Sequence, residues 1–211
     1  FRRSRGLGDV YKRQPECFIS QNKEHVSTKP IKGTRPISKD SIENKKIIDE
    51  LLNSDKDKAE NLMIVDLLRN DFGRNCKYGS VSVENLFDVE TFSNVHHLVS
   101  TVNGTISNNS DIYSLLKGCF PGGSITGAPK IRAMQIIDEI ECSNRGIYCG
   151  SIGYISGNDK SNLNIAIRTI FADDNTLYFW GGGGIVYDSE VELEYKETLD
   201  KVRPLLDLFK A

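Results

Sequence analysis

Apolar and polar positions alternate over residues 17–20 and 24–28 on either side of Gln21-Asn22-Lys23, which predicts a short hairpin. The rhythm then lengthens. Residues 40–52 and 56–69 carry apolar side chains at helical spacing, Ile47, Ile48 and Leu51 on the first stretch and Leu62, Met63 and Leu67 on the second, so two helices are predicted. Residues 80–89 return to a strand-like pattern, as a strand pair or a strand and loop. "HHLVSTVNGTI" (96–106) alternates as a strand ending in an Asn-Gly turn. Residues 111–118 predict a short helix. "FPGGSITGAPKIRAMQIIDEIE" (120–141) predicts a glycine-rich loop feeding a helix. Pro129 falls in its first turn, where a missing N–H is tolerated, and Thr126 is a candidate cap. Ile131, Met134, Ile137 and Ile140 form its expected buried stripe. Strands at 147–155, 163–172 and 176–180 precede "GGGG" (181–184), a further strand, and a last amphipathic helix over about 190–209. The class is α+β, with much antiparallel sheet and helices packed outside.

Composition narrows the function classes. The 211 residues suit one domain or part of a larger one, and a net charge of −2 gives no footing for nucleic acid. No apolar run reaches the roughly 18–20 residues of a membrane span. The five cysteines are odd in number, scattered and without a CxxC pair. That pattern argues against a zinc site or a disulfide scaffold and for thiols in a reducing cytoplasm. "FRRSRGLGDVYKR" (1–13) stands apart, with five Lys/Arg, one Asp and no apolar period. It reads as an adapter-derived or disordered segment, and if it is adapter-derived, residues 15–211 are expected to be the C-terminal part of a longer protein.

Several residues carry chemical interest. In "KPIKGTRP" (29–36) two prolines and Gly33 frame Lys32 in what reads as a stiff turn, a costly setting for a merely solvated amine. Asp57 and Glu60 are three apart on one predicted helix, and Glu194 and Glu197 repeat the spacing on the last one, with Lys201 a turn later. These are either two solvated faces or carboxylates offered by two helices to one Mg²⁺, a cation that prefers oxygen donors. The loop 121–128 leads into a helix N-terminus, a natural anion site, although Lys130 comes too late for a Walker loop. The four glycines lie between strands, where close approach of a ligand or simple linkage both fit. Arg168 sits in an apolar strand and needs an anionic partner if buried. His97 heads another apolar strand, where a hydrogen-bonded core histidine is the ordinary outcome. Together these elements suit a small polycarboxylate held by Mg²⁺, with Lys32 available as a nucleophile.

The ordered set "PECFIS", "PIKGTRP", "AENLMIVDLLRNDFGR", "VETFSNVHHLVS", "FPGGSITGAPKIRAMQIIDEIE", "RGIYCGSIGY", "NIAIRT" and "GGGGIVYDS" resembles the chorismate-utilising enzymes, which include anthranilate, aminodeoxychorismate, isochorismate and salicylate synthases. The resemblance spans residues 15 to about 210. It implies an α/β sandwich of two antiparallel sheets with outer helices and an active site between them, here N-terminally truncated. It also implies chorismate as substrate and Mg²⁺ as cofactor. By motif, Glu60 and Glu197 resemble the Mg²⁺ ligands, and Asp57 and Glu194 the carboxylates that act through water. Glu16 resembles the acid that protonates the departing 4-hydroxyl. His97 resembles the histidine near the reacting ring. Thr34, Tyr148, Arg168, Gly182, Gly184 and Lys201 resemble the groups that grip the ring and its carboxylates. A lysine before Gly-Thr is the aminodeoxychorismate synthase pattern, whereas anthranilate synthases usually carry alanine. The resemblance therefore implies conversion of chorismate and ammonia to the folate precursor 4-amino-4-deoxychorismate, through covalent addition of Lys32, with ammonia delivered by a separate glutamine amidotransferase subunit. Anthranilate synthesis is the alternative product, and a chain of this length alone is expected to be inactive.

Overall fold

The computed structural model describes residues 16–92 and 95–209. The basic segment 1–13 lies outside the described residues. Strands β1 (Cys17–Asn22) and β2 (His25–Lys29) form the expected hairpin, closed by Lys23 and Glu24, with Lys23 in the left-handed region at φ 57°. β3 (Ile31–Pro36) continues the path of β2 beyond Pro30. Proline has no N–H to give to a ladder. The Pro30 carbonyl instead accepts from the Ser100 amide at 3.2 Å, so the chain stays attached to β5 (Val95–Thr105) across the break.

β5 organises the main sheet. β4 (Ser82–Thr91) pairs along one edge of it, and β2 and β3 share the other. β7 (Lys160–Ile165) joins β1, and β6 (Ser151–Ser156) joins β7, all antiparallel, in the order β3-β5-β2-β1-β7-β6. β8 (Ile170–Asp173) and β9 (Thr176–Phe179) form a separate two-stranded ribbon. Helices α1 (Ser41–Leu52) and α2 (Asp55–Gly73) pack on β3, β4 and β5, and α3 (Ile112–Cys119) packs on α2. Each begins at a side-chain cap: Asp40, Ser54 and Asp111 accept from amides in the first turn. The core lies between these helices and the sheet. It gathers Phe18, Ile19, Val65, Phe72, Val102, Leu115 and Ile165. No helix among the described residues is long and apolar enough to cross a membrane.

Some expectations change. Asn103-Gly104 is not a turn: both residues lie inside β5, opposite Ser27 and Val26. Gly104 is there for close packing, because a Cβ on it would sit 2.7 Å from Cys76 Sγ. The predicted strand 163–172 breaks after Ile165, and Arg168 stands beyond the break at φ 51°, exposed rather than buried in a strand. Residues 181–186 form no strand. Helix α4 (Lys130–Ile140) forms as predicted, but its stripe does not bury: Ile131 is 76% and Ile140 70% exposed. Helix α5 (Val191–Asp207) likewise buries no side chain. The apolar periodicity of both helices is real, yet most of these side chains stay exposed among the described residues. Thr126 does not cap α4. Its hydroxyl donates backward to the Gly122 carbonyl at 2.9 Å, and Pro129 takes the cap position without a side-chain bond.

Candidate active site

Glu16 immediately precedes β1 and is tied by its carbonyl to the Ile165 amide at 3.0 Å. Its side chain is buried, and burial pushes its carboxyl up from the ordinary 4.5 to about 7. A hydrogen bond from Ser124 and the nearby charge of Lys32 pull the other way without overcoming burial. A carboxyl poised near neutrality can both hold and release a proton there. Sequence reasoning missed Ser124: the loop 121–128 stood out for its backbone donors, and nothing in its spacing says that a serine side chain reaches Glu16.

Lys32 and Gly33 lie in β3, not in a turn, at a register shift against β5 between Ile31 and Thr34. Gly33 takes φ 83°, and a Cβ there would sit 2.9 Å from Leu51 Cδ1 and 3.0 Å from Asp57 Cγ. Glycine is thus required twice, for backbone hand and for space. Gly33→Ala should cost about 2 kcal/mol or more. In a protein of full family length carrying this chain, that appears as a lower denaturant midpoint. An unchanged midpoint would mean that β3 does not need this bulge.

The glycine run faces the same region. Lys32 Nζ lies 3.5 Å from the point a Cβ on Gly184 would occupy, and Glu194 Oε2 3.2 Å from that point on Gly183. A Cβ on Gly182 would stand 2.6 Å from the Tyr148 hydroxyl oxygen, and the Gly182 carbonyl accepts from Lys201 at 3.2 Å. Tyr148 stacks on Trp180 at 6.2 Å with rings 8° from parallel, and the Arg145 guanidinium lies over the Tyr148 ring at 5.7 Å from its centre. Burial pushes the Tyr148 phenol up to about 12, so it acts as a hydrogen-bonding group near neutral pH. The run is therefore not a linker. Its missing side chains admit Lys32, Glu194 and Tyr148.

His97 is not the satisfied core histidine; that description fits His96, which is fully buried between the Thr91 hydroxyl and Asn44 Oδ1, each at 2.9 Å. His97 is half-buried and shares a hydrogen bond with the Thr34 hydroxyl at 2.8 Å. Burial lowers its imidazole pKa, as does the charge of Arg168, while Glu90 and the Gly33 backbone raise it. The histidine thus stands as a neutral ring beside Thr34, with exposed Arg168 close enough to be felt.

The four acidic candidates sit on α2 and α5. Asp57 accepts from Arg35 at 3.1 Å, Glu194 from the Ser189 hydroxyl at 2.6 Å, and Glu197 pairs with Lys201 at 2.6 Å. Glu60 lies half-buried one turn on from Asp57. Among the described residues no group of three or more His, Cys, Asp or Glu side chains converges on one point. The donor chemistry nevertheless suits a hard divalent cation. Asp57 borders Gly33 and Glu194 borders Gly183, so both helices present oxygen to the two stretches that flank Lys32. A hollow of about 410 Å³ lies elsewhere, lined by Ser20, Ser27, Ser82, Asn103 and other residues of β1, β2, β4 and β5. It holds none of these groups, and the chemistry rather than the volume locates the site.

A buried acid, an amine and several carboxylates thus lie on an antiparallel sheet with outer helices, and the chain belongs to the chorismate binding enzyme family, whose model matches residues 13–207. It is 51% identical over 199 residues to aminodeoxychorismate synthase component 1 of Salmonella typhimurium, a match over 94% of this chain and 44% of that protein. Anthranilate synthase component 1 of Aquifex aeolicus is 45% identical over 192 residues, 91% of this chain and 39% of that one. Among solved structures, anthranilate synthase component I of Streptococcus pneumoniae superposes with a TM-score of 0.80 at 40% identity, over 90% of this chain and 42% of its own. The menaquinone-specific isochorismate synthase of Escherichia coli superposes at 0.82 with 24% identity, over 93% and 45%, and shares the fold. The chain spans less than half the length of these relatives.

Proposed function

We propose that the protein to which this chain belongs is an aminodeoxychorismate synthase component I, acting on chorismate and ammonia to give 4-amino-4-deoxychorismate and water. The observation that carries the reading is the buried Glu16 carboxyl, raised to about 7 and within the field of Lys32. This supports an acid and a nucleophile acting on one substrate. Lys32 Nζ adds at C2 of the ring, the two conjugated ring double bonds both shift, and the C4–oxygen bond breaks as Glu16 delivers a proton, so that water leaves. Ammonia then attacks C4, the double bonds shift back, and the lysine amine departs from C2, with Glu16 ready to recover a proton. Thr34 and His97 border the ring, and Tyr148, Arg168, Lys201 and the amides of Gly182 and Gly184 receive its carboxylates. Glu60 and Glu197 would hold Mg²⁺, with Asp57 and Glu194 behind them. When bound, the cation offsets the charge of a substrate carboxylate.

Ammonia in this reading comes from a glutamine amidotransferase partner, and the product feeds p-aminobenzoate and folate synthesis. A reducing cytoplasm agrees with the buried thiols of Cys76 and Cys119, which burial pushes up to about 11 and about 12 and so leaves unreactive.

The test is carried out in a protein of full family length carrying this chain. With Mg²⁺ and ammonia it should consume chorismate. Glu60→Gln and Glu197→Gln should each weaken Mg²⁺ binding in the presence of chorismate by about tenfold or more by titration calorimetry, with unfolding midpoints little changed. Wild-type Mg²⁺ affinity in both variants would show that α2 and α5 present only solvated acidic faces.

A further inference from the structure

Arg35, near the end of β3, reaches three acceptors. Its Nη2 lies 3.1 Å from Asp57 Oδ2 in the first turn of α2, and its Nε lies 3.2 Å from Glu50 Oε1 near the end of α1. Its Nη1 donates to the Thr34 carbonyl at 3.1 Å. The two carboxylates differ in weight. The Glu50 side chain is 68% exposed, so solvent screens that pair, whereas the Asp57 side chain is 16% exposed. The Asp57 backbone is fixed as well, because its amide donates to the capping Ser54 hydroxyl at 3.3 Å.

This carboxylate lies against the bulge of β3. The Cβ position of Gly33 falls 3.0 Å from Asp57 Cγ and 2.9 Å from Leu51 Cδ1, so the Gly33 backbone is seated between the start of α2 and the end of α1. Gly33 stands between Lys32 and Thr34, in the stretch where the pairing of β3 with β5 slips. A slipped ladder loses regular cross-strand bonds, so side-chain contacts have to hold the backbone there. Past the slip the strand is tied again: the Thr34 hydroxyl meets His97 at 2.8 Å, and Arg35 pairs opposite His96. Without the guanidinium, a largely buried carboxylate beside Gly33 would lose its cation, and the seat of the bulge would loosen.

We infer that Arg35 is a positioning residue for Lys32: joined to Asp57, it seats the Gly33 bulge on α2 and so fixes the stretch of β3 from which the Lys32 amine extends toward Gly184. This deepens the proposed function and rests on Lys32 as the nucleophile. A lysine at position 35 could meet Asp57 as a point charge, but it lacks the planar fork that also reaches the Thr34 carbonyl.

The experiment compares Arg35→Met, Arg35→Lys and Glu50→Gln in a protein of full family length carrying this chain. Amide hydrogen exchange of the peptide spanning 31–36 is followed without substrate by mass spectrometry, with the peptide of β7 as the internal control. The products formed from chorismate, Mg²⁺ and ammonia are separated into 4-amino and 2-amino forms. Arg35→Met should speed exchange over 31–36 by about tenfold or more, the weight of one hydrogen bond between charged groups, and leave β7 as in wild type. Arg35→Lys should restore part of the protection, and Glu50→Gln should stay near wild type. In Arg35→Met, kcat for the 4-amino product should fall about tenfold or more, since a displaced nucleophile misses its geometry, and the share of 2-amino product should rise. A general loss of structure would lower both products together. Unchanged exchange in Arg35→Met, or an equal effect of Glu50→Gln, overturns the clamp. Faster exchange with an unmoved kcat and product ratio overturns the positioning role. If Arg35→Met does not fold, Arg35→Gln is read by the same criteria. A wild-type protein that makes no 4-amino product overturns the proposed function and the role for Lys32, while the substrate-free exchange still decides the clamp.

Discussion

Lys32→Ala, in a protein of full family length carrying this chain, should lose 4-amino-4-deoxychorismate formation by about 10³-fold or more when supplied with chorismate, Mg²⁺ and ammonia. In the proposed mechanism the amine forms the covalent bond, so its removal takes away a route rather than a contact. Folding should survive. The Lys32 side chain is only half-buried, and the conformation of β3 depends instead on Gly33 at φ 83°. The alanine would leave open space beside Gly184, now 3.5 Å from the ammonium when measured to the Cβ position. Ammonia could then reach C2 directly, giving a trace of 2-amino product. An unchanged rate of 4-amino product in Lys32→Ala would remove the covalent step.

Glu16→Gln should cost about 10²–10⁴-fold in turnover, the usual contribution of a positioned proton donor. The pH dependence is more diagnostic than the loss. The carboxyl is raised from 4.5 to about 7 in the folded protein, so the proton-bearing form is present below about pH 7 and is lost above it. As the proposed mechanism needs that form, wild-type kcat/KM should fall as pH rises through about 7, and the residual activity of Glu16→Gln should lack this limb. The stability consequence has the same sign. A group whose folded pKa exceeds its unfolded value stabilises fully below about 4.5 and loses that contribution as pH rises through about 7. Glu16→Gln should therefore gain stability relative to wild type above neutrality, measured as the difference between unfolding midpoints at pH 5 and pH 8. A wild-type kcat/KM that is flat from pH 6 to 8 would assign the proton to another group.

The sequence was most legible where one period governs a long stretch. Helices α1 and α2 fall within a few residues of their predicted bounds because apolar spacing and local capping agree. It was least legible where tertiary contact overrides a local signal. Asn103-Gly104 carries a strong turn signature, yet Cys76 and Phe72 require a residue without a Cβ inside β5. Arg168 looked like a strand cation, but the strand ends before it and the backbone turns left-handed. The stripe of α4 was read correctly as apolar and wrongly as buried, because periodicity describes a face and not what covers it. The site divides in the same way. Lys32 announced itself through its proline and glycine frame, although that frame is a bulged strand. Glu16 could be singled out only through the family resemblance, since its backbone is fixed by the Ile165 amide, more than a hundred residues away in sequence. The unequal roles of His96 and His97 depend on Asn44 and Thr34, which no spacing rule connects to them.

The central claim is that Lys32 and Glu16 direct amination to C4 of chorismate. The most direct measurement is the identity of the product formed from chorismate, Mg²⁺ and ammonia by a protein of full family length carrying this chain, separated by chromatography and assigned by mass spectrometry. The account predicts 4-amino-4-deoxychorismate, together with a chorismate-derived mass on the peptide containing Lys32 when turnover is quenched. Anthranilate as the product, with no mass added to that peptide, would contradict it.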